Sequence, residues 1–341
     1  MTKRQILQGN EAVALGAIKA GLNFFAGYPI TPASEILHKI VEFPQVKVIQ
    51  MEDEIASINA CVGAALAGAK TMTTTSGPGF SLMQEGIGLA HMVQAPLVVV
   101  NVQRVGPATG MPTFGAQGDI FQCRYGSHGD YFPIVFYPNS VSELYRYTIE
   151  AMNAAEESLS PVILLSDGLI GHLYETAELN DVPIRHRKVK PLGHGRRHFT
   201  ALTHSGDYPR ATAPSAHQEL IASRAAKTAE AAKRYEFYEY LRVKGSDTLL
   251  IAFGAASRAA YHFKQRFSIF RPIRIFPMLD ALKKIAASYE RIVVMEMNAG
   301  QYKLLVEAML HRPVGFVPLL GGAIKLSYLE ERIRKCLPES I

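Results

Sequence analysis

Two parallel-sheet units of the α/β class are what this sequence predicts, on three observations. Short runs of branched apolar residues alternate with longer segments of helical spacing, the alternation fades once in mid-chain, and it then resumes over a shorter stretch. Runs such as Ala95-Pro96-Leu97-Val98-Val99-Val100 and Pro161-Val162-Ile163-Leu164-Leu165 are continuous rather than alternating, the pattern of strands buried on both faces. A strand–helix alternation at this pitch implies helices on both sides of a parallel sheet.

Taken in order, Ala12 to Ile18 has helical spacing and leads into Phe24-Phe25-Ala26-Gly27-Tyr28, a strand running into a loop. A helix is expected after Tyr28-Pro29-Ile30-Thr31-Pro32, with Thr31 as N-cap and Pro32 at the first helical position, which would leave free N–H groups and a positive dipole end at that loop. Val46 to Gln50 reads as a strand, Asp53 to Ala67 as a helix and Lys70 to Thr75 as a strand. Gly79 to His91 reads as a helix opened by Gly77-Pro78-Gly79, and Leu97 to Gln103 and Pro161 to Ser166 as strands. The first domain therefore covers 1–185. A connecting arm follows over 186–245, rich first in Gly, His and Arg and then in Ala, Lys and Glu, helical from about Ala213. The second domain, 246–341, holds strands at Thr248 to Gly254, Arg274 to Pro277 and Arg291 to Glu296.

With 48% hydrophobic and 19% charged residues in 341, the chain can bury a large core. Its longest apolar runs fall far short of the roughly 20 residues that span a bilayer, and the start carries charge with no apolar stretch behind it, so no membrane span or secretory signal is expected and a cytoplasmic location follows. The three cysteines, Cys61, Cys123 and Cys336, are too few and too scattered for a CxxC site or an iron–sulfur cluster, and Cys61 lies in a small-residue helix as a buried, inert thiol. Much of the net charge of +6 sits in Arg185-His186-Arg187-Lys188-Val189-Lys190 and Gly195-Arg196-Arg197, with no acid between Asp181 and Asp207. Without interleaved aromatics this is read as a solvated linker rather than a nucleic-acid surface, with a docking surface for an acidic partner or a phosphate-bearing substrate as the alternative.

No GxxxxGK[ST], GxSxG or strand-following GxGxxG occurs. Instead, Gly9-Asn10-Glu11-Ala12, Gly27-Tyr28-Pro29-Ile30-Thr31-Pro32, Glu52-Asp53-Glu54-Ile55-Ala56, Thr74-Thr75-Ser76-Gly77-Pro78-Gly79 and the segment Gln103 to Thr113 follow one another, and Glu296-Met297-Asn298-Ala299-Gly300-Gln301 closes the series. Together they resemble the alpha subunit of 2-oxoacid:ferredoxin oxidoreductases over essentially the whole chain. The resemblance implies a thiamine-diphosphate-binding domain of the pyrimidine type, followed by a smaller transketolase C-terminal-like α/β domain.

In that family a glutamate hydrogen-bonds the cofactor's aminopyrimidine ring, and Glu54 matches it best. A carboxyl sharing a proton with the ring nitrogen promotes the tautomer that activates the cofactor, so a buried Glu54 with a raised pKa is expected. The plainer reading, a carboxylate favoured by the helix N-terminus, suits Glu52 and Asp53 better. The resemblance assigns Arg104 to the substrate carboxylate, at a strand end where parallel sheets bind ligands, with a loop-bracing ion pair as the alternative. Thr31 and Thr113 would add hydroxyl bonds to the 2-oxoacid, against pure capping and turn roles. Tyr28, Pro29, Ile30, Gly77 and Pro78 would border the cofactor, although a plain tight turn also explains Gly77-Pro78-Gly79. Ser127-His128-Gly129-Asp130 is also similar to the family, His128 being read as structural, and His198 and His204 receive no site role.

The family's reaction converts a 2-oxoacid and coenzyme A into acyl-CoA and carbon dioxide, with two electrons leaving to ferredoxin. Ser166-Asp167-Gly168 looks like the start of a thiamine metal motif, but the asparagine expected downstream is missing, so Asp167 is read as a strand-end cap. Diphosphate binding, Mg2+ and [4Fe–4S] clusters are therefore expected on partner subunits: a beta subunit, with gamma or delta subunits as further members. The coenzyme A domain is expected to be separate or absent, because the chain opens directly on Gly9-Asn10-Glu11-Ala12. No partner role for nucleic acid or membrane is implied. The Arg104 to Thr113 segment resembles the 2-oxoglutarate type, Ser166 to Gly171 the branched-chain type, and pyruvate stays open; Val105 replaces a glycine common in the family. A non-catalytic scaffold of the same fold and a self-sufficient transketolase-like enzyme are the competing functions.

Overall fold

A computed structural model describes residues 3–195 and 199–336; Arg196, Arg197 and His198 lie outside the described residues. Among these, the larger sheet runs in the order Arg274–Phe276, Ile134–Phe136, Val162–Asp167, Leu97–Val105, Thr71–Thr75, Phe24–Gly27, Lys47–Gln50, with Met111–Gly115 folded back onto Leu97–Val105. All neighbours along that path are parallel except Arg274–Phe276, and Met111–Gly115 is antiparallel to its partner. The smaller sheet runs Tyr238–Leu241, Ser268–Pro272, Thr248–Ala252, Arg291–Glu296, Gly315–Pro318, parallel but for its first strand. Lys3–Gln8 and Tyr174–Leu179 form a separate antiparallel ribbon.

Successive residues of a strand face opposite sides of its sheet, and two cores result. Val98, Val100, Val102, Val162 and Leu164 pack on one side with Val13 and Leu144 from helices Gly9–Lys19 and Val141–Ser158. Leu97, Val99, Ile163 and Leu165 pack on the other with Ile58 and Ile87 from helices Glu54–Leu66 and Gln84–Val93. Leu250 joins the first core and Leu249 and Ile251 the second, so apolar packing continues from sheet to sheet. Each fully buried aliphatic side chain here contributes about 1.5–3 kcal/mol.

Three expectations change. The helix after Pro32 begins at Ser34 with Ala33 as its N-cap, so Thr31 is not a cap. The Thr31–Pro32 bond is cis. The Ala33 N–H closes a turn onto the Ile30 carbonyl, and Asn10 Nδ2 donates to the Pro32 carbonyl at 2.8 Å; these two hydrogen bonds hold the backbone in a turn where the helix was expected to start. Arg274–Phe276, read as a strand of the second unit, instead extends the larger sheet against Ile134–Phe136, its Arg274 guanidinium buried on the carbonyls of Pro277 and Ala232. The basic stretch is not simply solvated. Arg187 donates to the carbonyls of Ala65 and Ala69 at the C-terminal end of helix Glu54–Leu66, where a cation suits the dipole, and Lys70 Nζ donates to the Arg185 carbonyl at 2.8 Å.

Candidate active site

The C-terminal ends of the parallel strands point toward one rim, the usual ligand crevice of an open α/β sheet. There the structure has a cavity of about 620 Å³, lined from the larger sheet by Gly77, Pro78, Arg104 and Asp119 and from the second unit by Asn298 and Gln301.

Glu54 takes its place from local sequence. Asp53 caps helix Glu54–Leu66 by accepting the Ala56 N–H at 2.7 Å, which fixes Glu54 as the first helical residue. Glu54 is 4% exposed, and Thr75 Oγ1, at the end of strand Thr71–Thr75, donates to its Oε1 at 3.4 Å. Glu54 does not line the cavity; the first turn of helix Gly77–Leu82, which precedes a separate helix Gln84–Val93 where one helix 79–91 was expected, joins the two. Gly77 and Pro78 stand in the cavity wall, while a Cβ on Gly79 would sit 2.1 Å from Glu54 Oε1 and 2.2 Å from Thr75 Oγ1. Gly79 is thus the position at which the backbone must be bare, which the plain-turn reading of this motif does not require.

Arg104 sits at the end of strand Leu97–Val105. Its Nη1 donates to the Thr31 carbonyl at 2.8 Å, and its buried Nε has no hydrogen-bond partner among the described residues. The alternative reading of Arg104, a loop-bracing ion pair, finds no partner among the described residues; the brace is to a carbonyl, and it ties Thr31 to the site through its backbone. Thr113 is exposed on Met111–Gly115, Tyr28 is 42% exposed, and Pro29 and Ile30 are half-buried; none of these four lines the cavity.

A polar network escaped the sequence reading. Asp119 accepts from Asn101 Nδ2 at 2.9 Å, its backbone N–H is held by Gln103 Oε1 at 3.0 Å, and Gln103 Nε2 reaches the Ser166 carbonyl. Burial pushes the Asp119 carboxyl above the ordinary range, with the Asn101 bond opposing it. Gln117 exchanges both backbone and side-chain bonds with Met297, and Asn298 Nδ2 donates to the Gln117 carbonyl at 2.7 Å. Gln301 donates to the Gly118 carbonyl and accepts the Phe121 N–H at 2.9 Å. The loop at 297–301 is thereby fastened to the cavity wall. Partners some 180 residues apart leave no spacing signal in the sequence, where only the family resemblance marks 296–301.

Asp167 is a cap, accepting the N–H groups of Leu169 and Ile170 at 3.1 Å and the Tyr137 hydroxyl at 2.9 Å. Among the described residues no group of three or more His, Cys, Asp or Glu is placed to hold a metal. Burial pushes the Cys61 thiol up to about 12, as an inert core residue requires.

Comparison with known proteins places this geometry. Residues 15–239 match the family described as pyruvate flavodoxin/ferredoxin oxidoreductase, thiamine diphosphate-binding. The 2-oxoglutarate synthase subunit KorA of Archaeoglobus fulgidus is 42% identical over 94% of this chain and 95% of its own length. The ketoisovalerate oxidoreductase subunit VorB of Methanothermobacter thermautotrophicus is 35% identical over 98% of this chain and 99% of its own. A structure of 2-oxoglutarate:ferredoxin oxidoreductase from Magnetococcus marinus, with 2-oxoglutarate, coenzyme A and succinyl-CoA bound, superposes with a TM-score of 0.91 at 31% identity, covering 97% of this chain; this chain spans 65% of that one, just under two thirds. With a family match across most of its length and a relative this similar from end to end, the chain belongs to the 2-oxoacid:ferredoxin oxidoreductases, as a subunit with a thiamine-diphosphate-binding domain.

Proposed function

We propose that this chain is the alpha subunit of a 2-oxoglutarate:ferredoxin oxidoreductase, an enzyme of the cytoplasm that converts 2-oxoglutarate and coenzyme A to succinyl-CoA and carbon dioxide, reversibly, with electrons passing to ferredoxin. The observation that carries the reading is the pairing of a carboxyl and a guanidinium on two sides of one turn. Glu54 is buried against Gly79, and Arg104 stands in the cavity wall beside Gly77 and Pro78. The residues fit a thiamine ring: the buried Glu54 carboxyl can share a proton with a ring nitrogen, and Gly79 leaves that carboxyl uncrowded. When bound, thiamine diphosphate supplies the carbanion chemistry of decarboxylation.

This chain's residues do the rest of the local work. Glu54 holds a proton at the cofactor's pyrimidine; Arg104, with its Nη1 anchored on the Thr31 carbonyl, presents its remaining donors to a substrate carboxylate. Thr31 and Thr113 would lend hydroxyls, and Tyr28, Pro29 and Ile30 would border the pyrimidine. In this reading residues 1–185 serve the pyrimidine, 186–245 form the arm and 246–341 close the cavity. Diphosphate, Mg2+ and [4Fe–4S] belong to a beta subunit, with gamma or delta subunits completing the assembly. The choice of 2-oxoglutarate rests on the KorA relatives exceeding the branched-chain VorB relatives in identity, 42% against 35%.

The test is Glu54→Gln in the complex purified with its partners, assayed anaerobically by dye reduction across a panel of 2-oxoacids. The expected result is a wild type preferring 2-oxoglutarate and a variant slowed at least a hundredfold, in the range of a lost general acid–base group, roughly 10²–10⁴. Full activity in E54Q would leave the fold a scaffold or move catalysis elsewhere.

A further inference from the structure

Every reactant the proposed reaction brings to this cavity is an anion, yet its described wall contains one acid, Asp119, alongside one cation, Arg104. The two are not ion-paired. Arg104 is spent in part on the Thr31 carbonyl, while Asp119 is held by the neutral Asn101 amide and faces Gly77, whose Cα lies next to its carboxyl: a Cβ there would be 3.3 Å from Oδ2 and 3.6 Å from Oδ1. A carboxylate in that position would repel the substrate. A carboxylic acid would bind it.

We infer that Asp119 is a second substrate-facing residue, which takes up a proton as the 2-oxoacid enters and donates it as a hydrogen bond to a substrate oxygen, complementing Arg104 at the other end of a dianionic substrate. This rests on the functional reading above and adds a determinant to it. The geometry prepares the group for that task. Gln103 fixes its backbone, Asn101 fixes Oδ2, and the residue stands in the cavity wall. Of the groups around it, the Asn101 amide donor and the Arg104 cation on strand Leu97–Val105 favour the carboxylate, and Gln103 holds only its backbone; the first turn of helix Gly77–Leu82 contributes glycine and proline, its own helix Ile120–Tyr125 the buried Cys123, the core Tyr137, and the loop at 297–301 the Asn298 and Gln301 amides, none of them a cation. Burial already favours the protonated form, and an arriving anion favours it further.

The experiment compares wild type with Asp119→Asn in the complete complex. The amide is isosteric, keeps an oxygen for Asn101, and is a donor at every pH. Two readouts are taken: kcat/KM for 2-oxoglutarate from pH 6 to 9, and proton uptake on binding of the inert isostere N-oxalylglycine, from calorimetry in buffers of different ionisation enthalpy. In the wild type kcat/KM is expected to fall about tenfold per pH unit above one ionisation, with proton uptake on binding; D119N lacks both that slope and that uptake. Asp119→Ala, which has no donor, raises KM at least tenfold at every pH. A D119N variant keeping the wild-type slope and uptake overturns the role of Asp119 alone. A wild-type complex inactive on every 2-oxoacid overturns the functional reading, and this inference with it.

Discussion

Replacing Gly79 with alanine tests how Glu54 is positioned, because it adds one methyl group where two functional atoms converge. That methyl carbon would lie 2.1 Å from Glu54 Oε1 and 2.2 Å from Thr75 Oγ1, so the carboxyl must retreat by about 1 Å to reach ordinary contact. Alanine is the better helix former, by about 1 kcal/mol, which offsets part of an overpacking cost of about 1–3 kcal/mol. Stability should therefore change by no more than about 2 kcal/mol, and the chain should fold. Catalysis should suffer far more, since a misplacement of about 1 Å costs on the order of a hundredfold. The assay is dye reduction by the complex with 2-oxoglutarate, alongside thermal unfolding. Because the added methyl acts through Glu54, the E54Q/G79A double variant should be no slower than E54Q, a non-additivity expected of residues in contact. Turnover of G79A within threefold of wild type, or a double variant slower by the product of the two single losses, would refute the reasoning.

Two further predictions concern charge. Arg104→Lys keeps a cation but cannot hold the Thr31 carbonyl and fork a carboxylate together, so KM for the 2-oxoacid should rise about 10- to 100-fold, equivalent to about 1.5–3 kcal/mol, with kcat less affected; a KM within twofold of wild type in steady-state assays removes Arg104 as the clamp. His91 packs on the Tyr131 ring, and burial, with the nearby Lys227, Arg124 and Arg224 charges, lowers it from 6.5 to about 3. A base held below its unfolded value stabilises the fold above pH 6.5 and loses that contribution as pH falls toward 3, so about 2 kcal/mol should be gone by pH 5. His91→Gln should flatten that part of the profile of melting temperature against pH, and an unchanged slope would show that another group titrates there.

The alternation of elements was legible because strands such as Leu97–Val105 and Val162–Asp167 are buried on both faces and so must be apolar throughout. Short local motifs singled out Glu54, Gly77, Pro78 and Arg104; the structure buries Glu54 and puts Gly77, Pro78 and Arg104 in the cavity wall, while their functional roles stay proposals. What escaped was non-local or conformational. The turn closed by Ala33 on Ile30 and the Asn10 contact move the helix start beyond any capping rule, and Arg274–Phe276 joins the larger sheet through partners some 140 residues upstream. Asp119 and the Gln117 and Gln301 cross-links follow no periodicity, because their partners are supplied by another part of the fold.

The separation of Glu54 from the large cavity bears on how the proposed subunit could work. A thiamine activator needs the cofactor's ring against its carboxyl, yet the side chains beside Glu54 and Arg104 in sequence or in their hairpin are turned outward: Ile55 is 48% exposed, Phe114 43% and Met111 40%. Tyr28 and Leu320, from two other segments, are exposed as well. Exposed apolar side chains flanking site residues in the chain resemble the core of an interface rather than a solvated surface. If the diphosphate comes with a partner subunit, as proposed above, these residues are the expected place for it to pack. Glu54 is already buried in the lone chain, so such a contact would close off the cofactor's side of the site rather than the carboxyl itself.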